Sequence, residues 1–306
     1  MSAHPLLAQN SIKKRFARTP LLLVGCGDVG FRLLPYLCEK FNVRALSTQA
    51  RNSERFTHIR QRGALPLTAD LDDARSVSRF AGLADTVVYL APPPQVGLID
   101  TRLRNLLAIL PDNCRFVYIS TTGVYGDVQG AYIDETQKCA PQTARALRRT
   151  DAENRLRAWA LRRRARVSIL RVPGIYAQDR LPIERLHKGT PALCAEDDVF
   201  TNHIHADDLA KLIFLCLFRG RANRCYNACD ESEMKMGDYF DLVADRMSLP
   251  RPKRLPRTEL KQSLSETQWS FMCESRRLIN RRMVCELGMR LSYSKIEDLW
   301  PSVPLV

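Results

Sequence analysis

The feature that most constrains this chain is Pro20-Leu-Leu-Leu-Val24 running directly into Gly25-Cys-Gly-Asp-Val-Gly30, followed by helical periodicity from Phe31 to Lys40. A short apolar run, a glycine turn and an amphipathic segment read as strand, tight turn and helix. In that context the GxGxxG spacing acquires a physical meaning that a lone match lacks. Gly25 permits the tight turn, Gly27 lets the backbone approach a pyrophosphate, and Gly30 lets the helix pack close to the strand. The pyrophosphate then rests on unpaired N–H groups at the helix N-terminus. A purely structural glycine turn is the alternative.

Downstream, apolar strands at 42–47, 64–67, 86–90, 115–120 and 167–172 alternate with helical segments ending near 62 and spanning 98–110 and 143–164. This alternation predicts right-handed βαβ units and an α/β fold built on a doubly wound parallel sheet. Past Gly174 the alternation breaks down into short helices at 182–186, 209–218, 236–247 and 281–287, a strand at 224–228 and a Pro/basic linker at 251–257. The chain divides into a basic extension over 1–19, the alternating α/β part over 20–180 and the remainder over 181–306. At 306 residues and 45% hydrophobic content, the chain can bury such a core, which excludes disorder as its main state.

The most apolar stretch, Leu209 to Phe218, is interrupted by Lys211, so no membrane span is expected. The ten cysteines lack CxxC spacing and sit in apolar strings, as buried thiols of a cytoplasmic protein do. Cys225 and Cys229 come nearest to a pair but read as packing residues of a strand. The net charge of +14 is concentrated in three segments. Residues 145–166 hold nine arginines against Asp151 and Glu153, residues 251–282 hold nine cations against three glutamates, and the first 18 residues hold four cations. A basic helix of this kind admits non-specific nucleic-acid binding, but little aromatic interleaving beyond Trp159 accompanies it, and nucleic acid is not the expected partner.

The second strand should end on an acidic residue if the adenosine ribose hydroxyls are to be held in the NAD manner. Leu46-Ser-Thr-Gln-Ala-Arg51 has none. The Ser47 and Thr48 hydroxyls with the Arg51 guanidinium suit a 2′-phosphate, which favours NADP, NAD remaining open; Arg51 is otherwise an ordinary solvated residue. The cofactor set read from the sequence is Gly25, Gly27, Asp28, Val29 and Gly30, then Thr48 and Arg51, Asp70 and Leu71, and Leu90, Ala91 and Pro92 at successive strand ends. Asp70 either meets the adenine edge or caps the next turn.

Taken in order, the glycine turn, Ser120-Thr-Thr-Gly-Val-Tyr-Gly126, Leu170-Arg-Val-Pro-Gly-Ile-Tyr176, His203-Ile-His-Ala-Asp-Asp-Leu-Ala210 and Ser275-Arg-Arg-Leu-Ile-Asn280 resemble an extended short-chain dehydrogenase/reductase. The chain is most similar to the NAD-dependent epimerase/dehydratase family, over residues 20 to about 295. The resemblance implies a Rossmann-type NAD(P)-binding body over 20–180, a smaller, mostly C-terminal substrate lobe over 181–306 with 204–228 returning to the Rossmann body, and a Ser/Thr, Tyr and Lys catalytic set. Thr121, four residues before Tyr125, takes the Ser/Thr position and would hydrogen-bond a reacting substrate oxygen. Tyr125 is a packing residue or, failing another candidate, the acid/base.

The family's Tyr-x-x-x-Lys should open the long helix, just ahead of a Glu. Aligning that Glu with Glu153 puts Arg145 at the Tyr position and Arg149 at the Lys position. A guanidinium can hold ribose or anionic oxygens but does not readily exchange a proton near neutral pH. At about 100° per residue, Arg145 and Arg149 share a stripe with Ala152, Leu156 and Trp159, whereas Arg148, Arg155 and Arg162 fall on another. The first pair therefore reads as an anion site near the nicotinamide or as flanking residues that reach water.

Arg180 is a further expected substrate contact, with Arg171 a weaker one and Glu153 an ion-pair partner for a neighbouring arginine. His203, His205, Asp207 and Asp208 do not read as a metal site; the Asp pair is expected to cap the helix after it. The resulting expectation is an oxidoreductase or epimerase acting on a small polar, anionic molecule, with no metal, and with a homodimer as one open arrangement. The alternative is a catalytically silent NADP sensor or scaffold.

Overall fold

The computed structural model describes residues 18–48 and 53–300. Seven parallel strands form the central sheet: β1 (Thr19–Val24), β2 (Phe41–Ser47), β3 (Leu65–Thr68), β4 (Thr86–Tyr89), β5 (Arg115–Thr121), β6 (Arg166–Val172) and β7 (Arg224–Asn227). Their order is β7-β6-β5-β4-β1-β2-β3, which is the doubly wound arrangement with its switch point between β1 and β4. β1 and β4 are apolar on both faces because both are covered by helices, as a parallel sheet requires.

Helix α1 (Asp28–Lys40) packs on one face beside α7 (Ala206–Arg219), burying Leu33, Leu34 and Leu37 with Leu209, Leu212 and Ile213. α2 (Glu54–Gln61) follows β2 and buries Phe56 and Ile59. On the other face lie α3 (Ala74–Ser78), α4 (Thr101–Leu107) and α5 (Ala144–Arg163), where Leu103, Leu106, Leu156 and Trp159 meet Tyr89, Phe116 and Tyr118. The Thr143 hydroxyl caps α5 by accepting from Ala146 N, and Arg164 ends it in the left-handed conformation at φ 53°.

The C-terminal residues build a second core around Tyr176, Leu193, Tyr239, Phe240, Leu260 and Ile296, which includes α6 (Ile183–His187) and α8 (Met236–Arg246). Here the chain holds more structure than its pattern foretells. The linker at 251–257 contributes a strand, Arg254–Leu255, paired with Ala192–Leu193, and helices Arg257–Ser263 and Glu266–Trp269 follow it. These elements are too short to show a hydrophobic period and exist by packing. β7 returns the chain to the main sheet beside β6. All ten cysteines are free thiols, and among the described residues no helix is long and apolar enough to cross a membrane.

Candidate active site

Two cavities open at the carboxyl ends of the strands. The first, of about 410 Å³, lies over the glycine turn and is lined by Gly25, Gly27, Asp28, Val29, Gly30, Thr48, Leu71, Leu90, Ala91 and Pro92. Each glycine has its own reason. Gly25 sits at φ +90°, and a Cβ there would lie 2.7 Å from Ala91 N; one at Gly30 would lie 3.2 Å from Gly25 O. A Cβ on Gly27 would meet nothing within 4 Å. Protein packing leaves that side of Gly27 open, the space a bound pyrophosphate requires, so the residues fit a dinucleotide. Gly27 is also the N-cap of α1 without a side-chain cap, which leaves the first N–H groups of the helix for a ligand.

Among the described residues, the cleft has no carboxylate at the end of β2; Ser47 and Thr48 line it there. Asp70 does not line the cleft, because its Oδ1 accepts from Asp72 N at 2.9 Å: it caps a turn rather than meeting an adenine edge. Arg51 lies outside the described residues, as do residues 1–17 of the basic extension. Arg55, which sequence reasoning missed, lines the cleft and donates to Cys26 O at 2.9 Å. The polar, arginine-rich turn after β2 was its only signal. Arg180 is a correction: it lines this cleft rather than the substrate-side cavity, and it pairs with Asp28 at 2.8 Å.

The second cavity, of about 310 Å³, lies between the ends of β5 and β6 and the C-terminal core. Thr121 and Arg145 both line it. Thr121 Oγ1 accepts from Gly123 N at 3.3 Å, which leaves the hydroxyl proton free to be donated to a bound oxygen. The Arg145 guanidinium lies 4.3 Å from the centre of the Phe271 ring and has no ion-pair partner among the described residues. Burial first, and then the neighbouring Arg149, draw its pKa below the ordinary arginine range. Arg185 also lines the cavity, over Phe240, with its donor on Pro191 O and no carboxylate beside it among the described residues. Glu274 lines it too, but Arg276 engages it at 2.7 Å. The balance is cationic.

His203, 4% exposed, forms part of the cavity wall and packs against Tyr239, the ring centres 4.4 Å apart and the planes tilted by 42°. Burial pushes its imidazole down to about 4, so it is neutral near neutral pH. His205 instead caps α7, its Nδ1 accepting from Asp207 N at 3.2 Å, and stacks on Tyr293. Asp208 turns away from the helix start to accept from Ser292 N and Tyr293 N, and Asp207 pairs with Arg32. The cap expected of the Asp pair is thus supplied by the histidine.

Two expected catalytic residues face elsewhere. Tyr125 is fully buried, donates to Asn227 Oδ1 at 2.6 Å and lines neither cavity; burial raises its hydroxyl well above the ordinary tyrosine range. It packs, and the acid/base role is corrected accordingly. Arg149 donates to Tyr118 Oη at 2.9 Å and also lines neither cavity. Arg171 is no pocket residue either. It makes a buried bidentate pair with Glu153, Nε to Oε1 at 3.1 Å and Nη2 to Oε2 at 2.7 Å, while Ser120 Oγ donates to Oε1. The remaining α5 arginines are largely engaged within the protein: Arg148 is buried, contrary to its outer stripe, and donates to Gly97 O, Arg157 to Asn223 O, and Arg155 and Arg163 pair with Asp151 and Asp112.

Fold and cleft together define a Rossmann-type protein of the extended short-chain dehydrogenase/reductase class. The chain belongs to the NAD dependent epimerase/dehydratase family, whose model matches residues 22–229. Its function is accordingly of the NAD(P)-dependent epimerase/dehydratase type. A solved conserved protein of unknown function from Silicibacter pomeroyi DSS is 27% identical, with TM-score 0.73 over 90% of this chain and 95% of that one. UDP-glucose 4-epimerase from Thermotoga maritima, solved with UDP-glucose, is 17% identical, with TM-score 0.73 over 92% and 96%. The dTDP-glucose 4,6-dehydratase DesIV from Streptomyces venezuelae, solved with NAD, is 19% identical, with TM-score 0.72 over 91% and 94%. At these identities the last two show the fold alone. No curated protein matches the chain.

Proposed function

We propose that this protein is an NADP-dependent oxidoreductase or epimerase that acts on a small, anionic substrate at a carbon bearing oxygen. The observation that carries this is Arg145: at the position where the family resemblance places a tyrosine, an arginine without a counter-ion among the described residues lines the same cavity as Thr121. Thr121 donates its hydroxyl to the reacting oxygen, and Arg145, with Arg185 across the cavity, holds the anionic group. A bound nicotinamide supplies or accepts hydride. NADP over NAD is supported by the lack of a carboxylate at the end of β2 and by Arg55 in the cleft.

The test is fluorescence of the NADPH-loaded protein during addition of small anionic carbonyl compounds. Oxidation that Thr121→Val slows about 100-fold, the order expected for losing one such donor, supports the assignment. Tight NADPH binding without turnover of any compound favours the silent sensor. Turnover unchanged in both Thr121→Val and Arg145→Gln overturns the site.

A further inference from the structure

Asp28 is the first residue of α1, at the point where the glycine turn delivers its open N–H groups to the cleft. A carboxylate there repels a pyrophosphate unless something neutralises it. Two arginines do so: Arg32 Nε donates to Oδ1 at 2.9 Å, and Arg180 Nη1 lies 2.8 Å from Oδ2. They are not equivalent. Arg32 is engaged at three nitrogens, its Nη1 on Asp207 at 2.8 Å and its Nη2 on Asp179 at 2.6 Å. It is a fixed strut between α1, the start of α7 and the turn Gln178–Arg180. Arg180 has its one side-chain contact with Asp28 among the described residues, and it alone of the two lines the cleft.

We infer that Arg180 is a dinucleotide-binding residue, a guanidinium delivered from the C-terminal side of the chain to the pyrophosphate and aimed there by Asp28. An arginine retains several donors after one contact, and its planar fork suits two phosphate oxygens. Arg32 holds Asp28 and Asp179, on both sides of the contact, so Arg180 meets the ligand largely pre-positioned. The pyrophosphate is common to both dinucleotides, so this contact adds affinity without discriminating NADPH from NADH. This inference rests on the dinucleotide reading of the cleft proposed above.

Titration of the full-length protein with NADPH and with NADH, followed by nicotinamide fluorescence, tests it. Arg180→Gln is expected to weaken both ligands by the same factor, about ten-fold or more, while Asp28→Asn, which removes the repelling charge but keeps a side-chain oxygen for Arg180, weakens them by a clearly smaller factor or tightens them. Chemical denaturation of each variant measures its stability separately. Wild-type affinity for both dinucleotides in Arg180→Gln overturns the inference and leaves the cofactor reading standing. So does an equal loss of affinity in both variants, the mark of a merely structural ion pair. A wild-type protein that binds neither dinucleotide overturns both.

Discussion

Arg149 Nη1 donates to the hydroxyl of Tyr118 at 2.9 Å, with the guanidinium 5.4 Å from the centre of the ring. The residue that aligns with a catalytic lysine is thereby tied to a buried side chain of β5. Burial lifts the Tyr118 hydroxyl to about 12 even though Arg149 opposes the shift. Arg149→Met should strand that buried hydroxyl and cost about 1–3 kcal/mol. Tyr118→Phe combined with it should recover much of the loss, a coupling that urea unfolding of both single variants and the double variant measures.

Gly25 and Gly27 should respond oppositely to alanine. Gly27→Ala adds a methyl in open space at an N-cap with φ −87°, so stability should change by less than about 1 kcal/mol. Its NADPH affinity should nevertheless fall at least ten-fold. Gly25→Ala, at φ +90° with Ala91 N in the way, should destabilise the fold itself. Thermal unfolding with and without NADPH separates the two effects.

Glu153 and Arg171 form a pair whose side chains are 3% and 5% exposed. Glu153→Gln leaves the Arg171 charge without its partner and should cost about 3–5 kcal/mol in denaturant unfolding. Replacing both by apolar residues should cost much less, since no buried charge then remains.

Asp230 is buried, and burial raises its carboxyl to about 7 despite the Ser232 N–H that bonds it. A carboxyl whose folded pKa exceeds its unfolded value contributes full stability below the unfolded pKa and loses it as pH rises through the folded one. The wild type should therefore lose stability relative to Asp230→Asn between about pH 4 and pH 7, by a few kcal/mol, and the difference should level off above that range. Unfolding of both proteins across that range checks the sign. A gap that widens toward acid would contradict it.

Local sequence carried the strand, glycine turn and helix because each rests on a few adjacent residues. The apolar strands β4 and β5 are legible for the same reason. Thr121 and Arg145 could be named from their place in ordered motifs, but that they share one cavity follows only once Phe271 and Glu274, far along the chain, close it. Tyr125 and Arg149 show the converse. Their spacing is compatible with catalysis, but Asn227 and Tyr118 take their polar groups.

By itself the sequence determined the order of strands and helices up to about residue 172 and the dinucleotide turn, since backbone geometry and hydrophobic period are local properties. Tertiary structure alone decided where each long, charged side chain goes. An arginine reaches several ångströms from its backbone, and its destination depends on which carboxylates, carbonyls and rings the fold brings within reach. For this reason the sequence shows the chain's excess of cations only as three basic segments. In the folded protein it becomes a set of internal struts, with Arg145 and Arg185 lining one cavity and Arg55 and Arg180 the other, Arg180 held by Asp28.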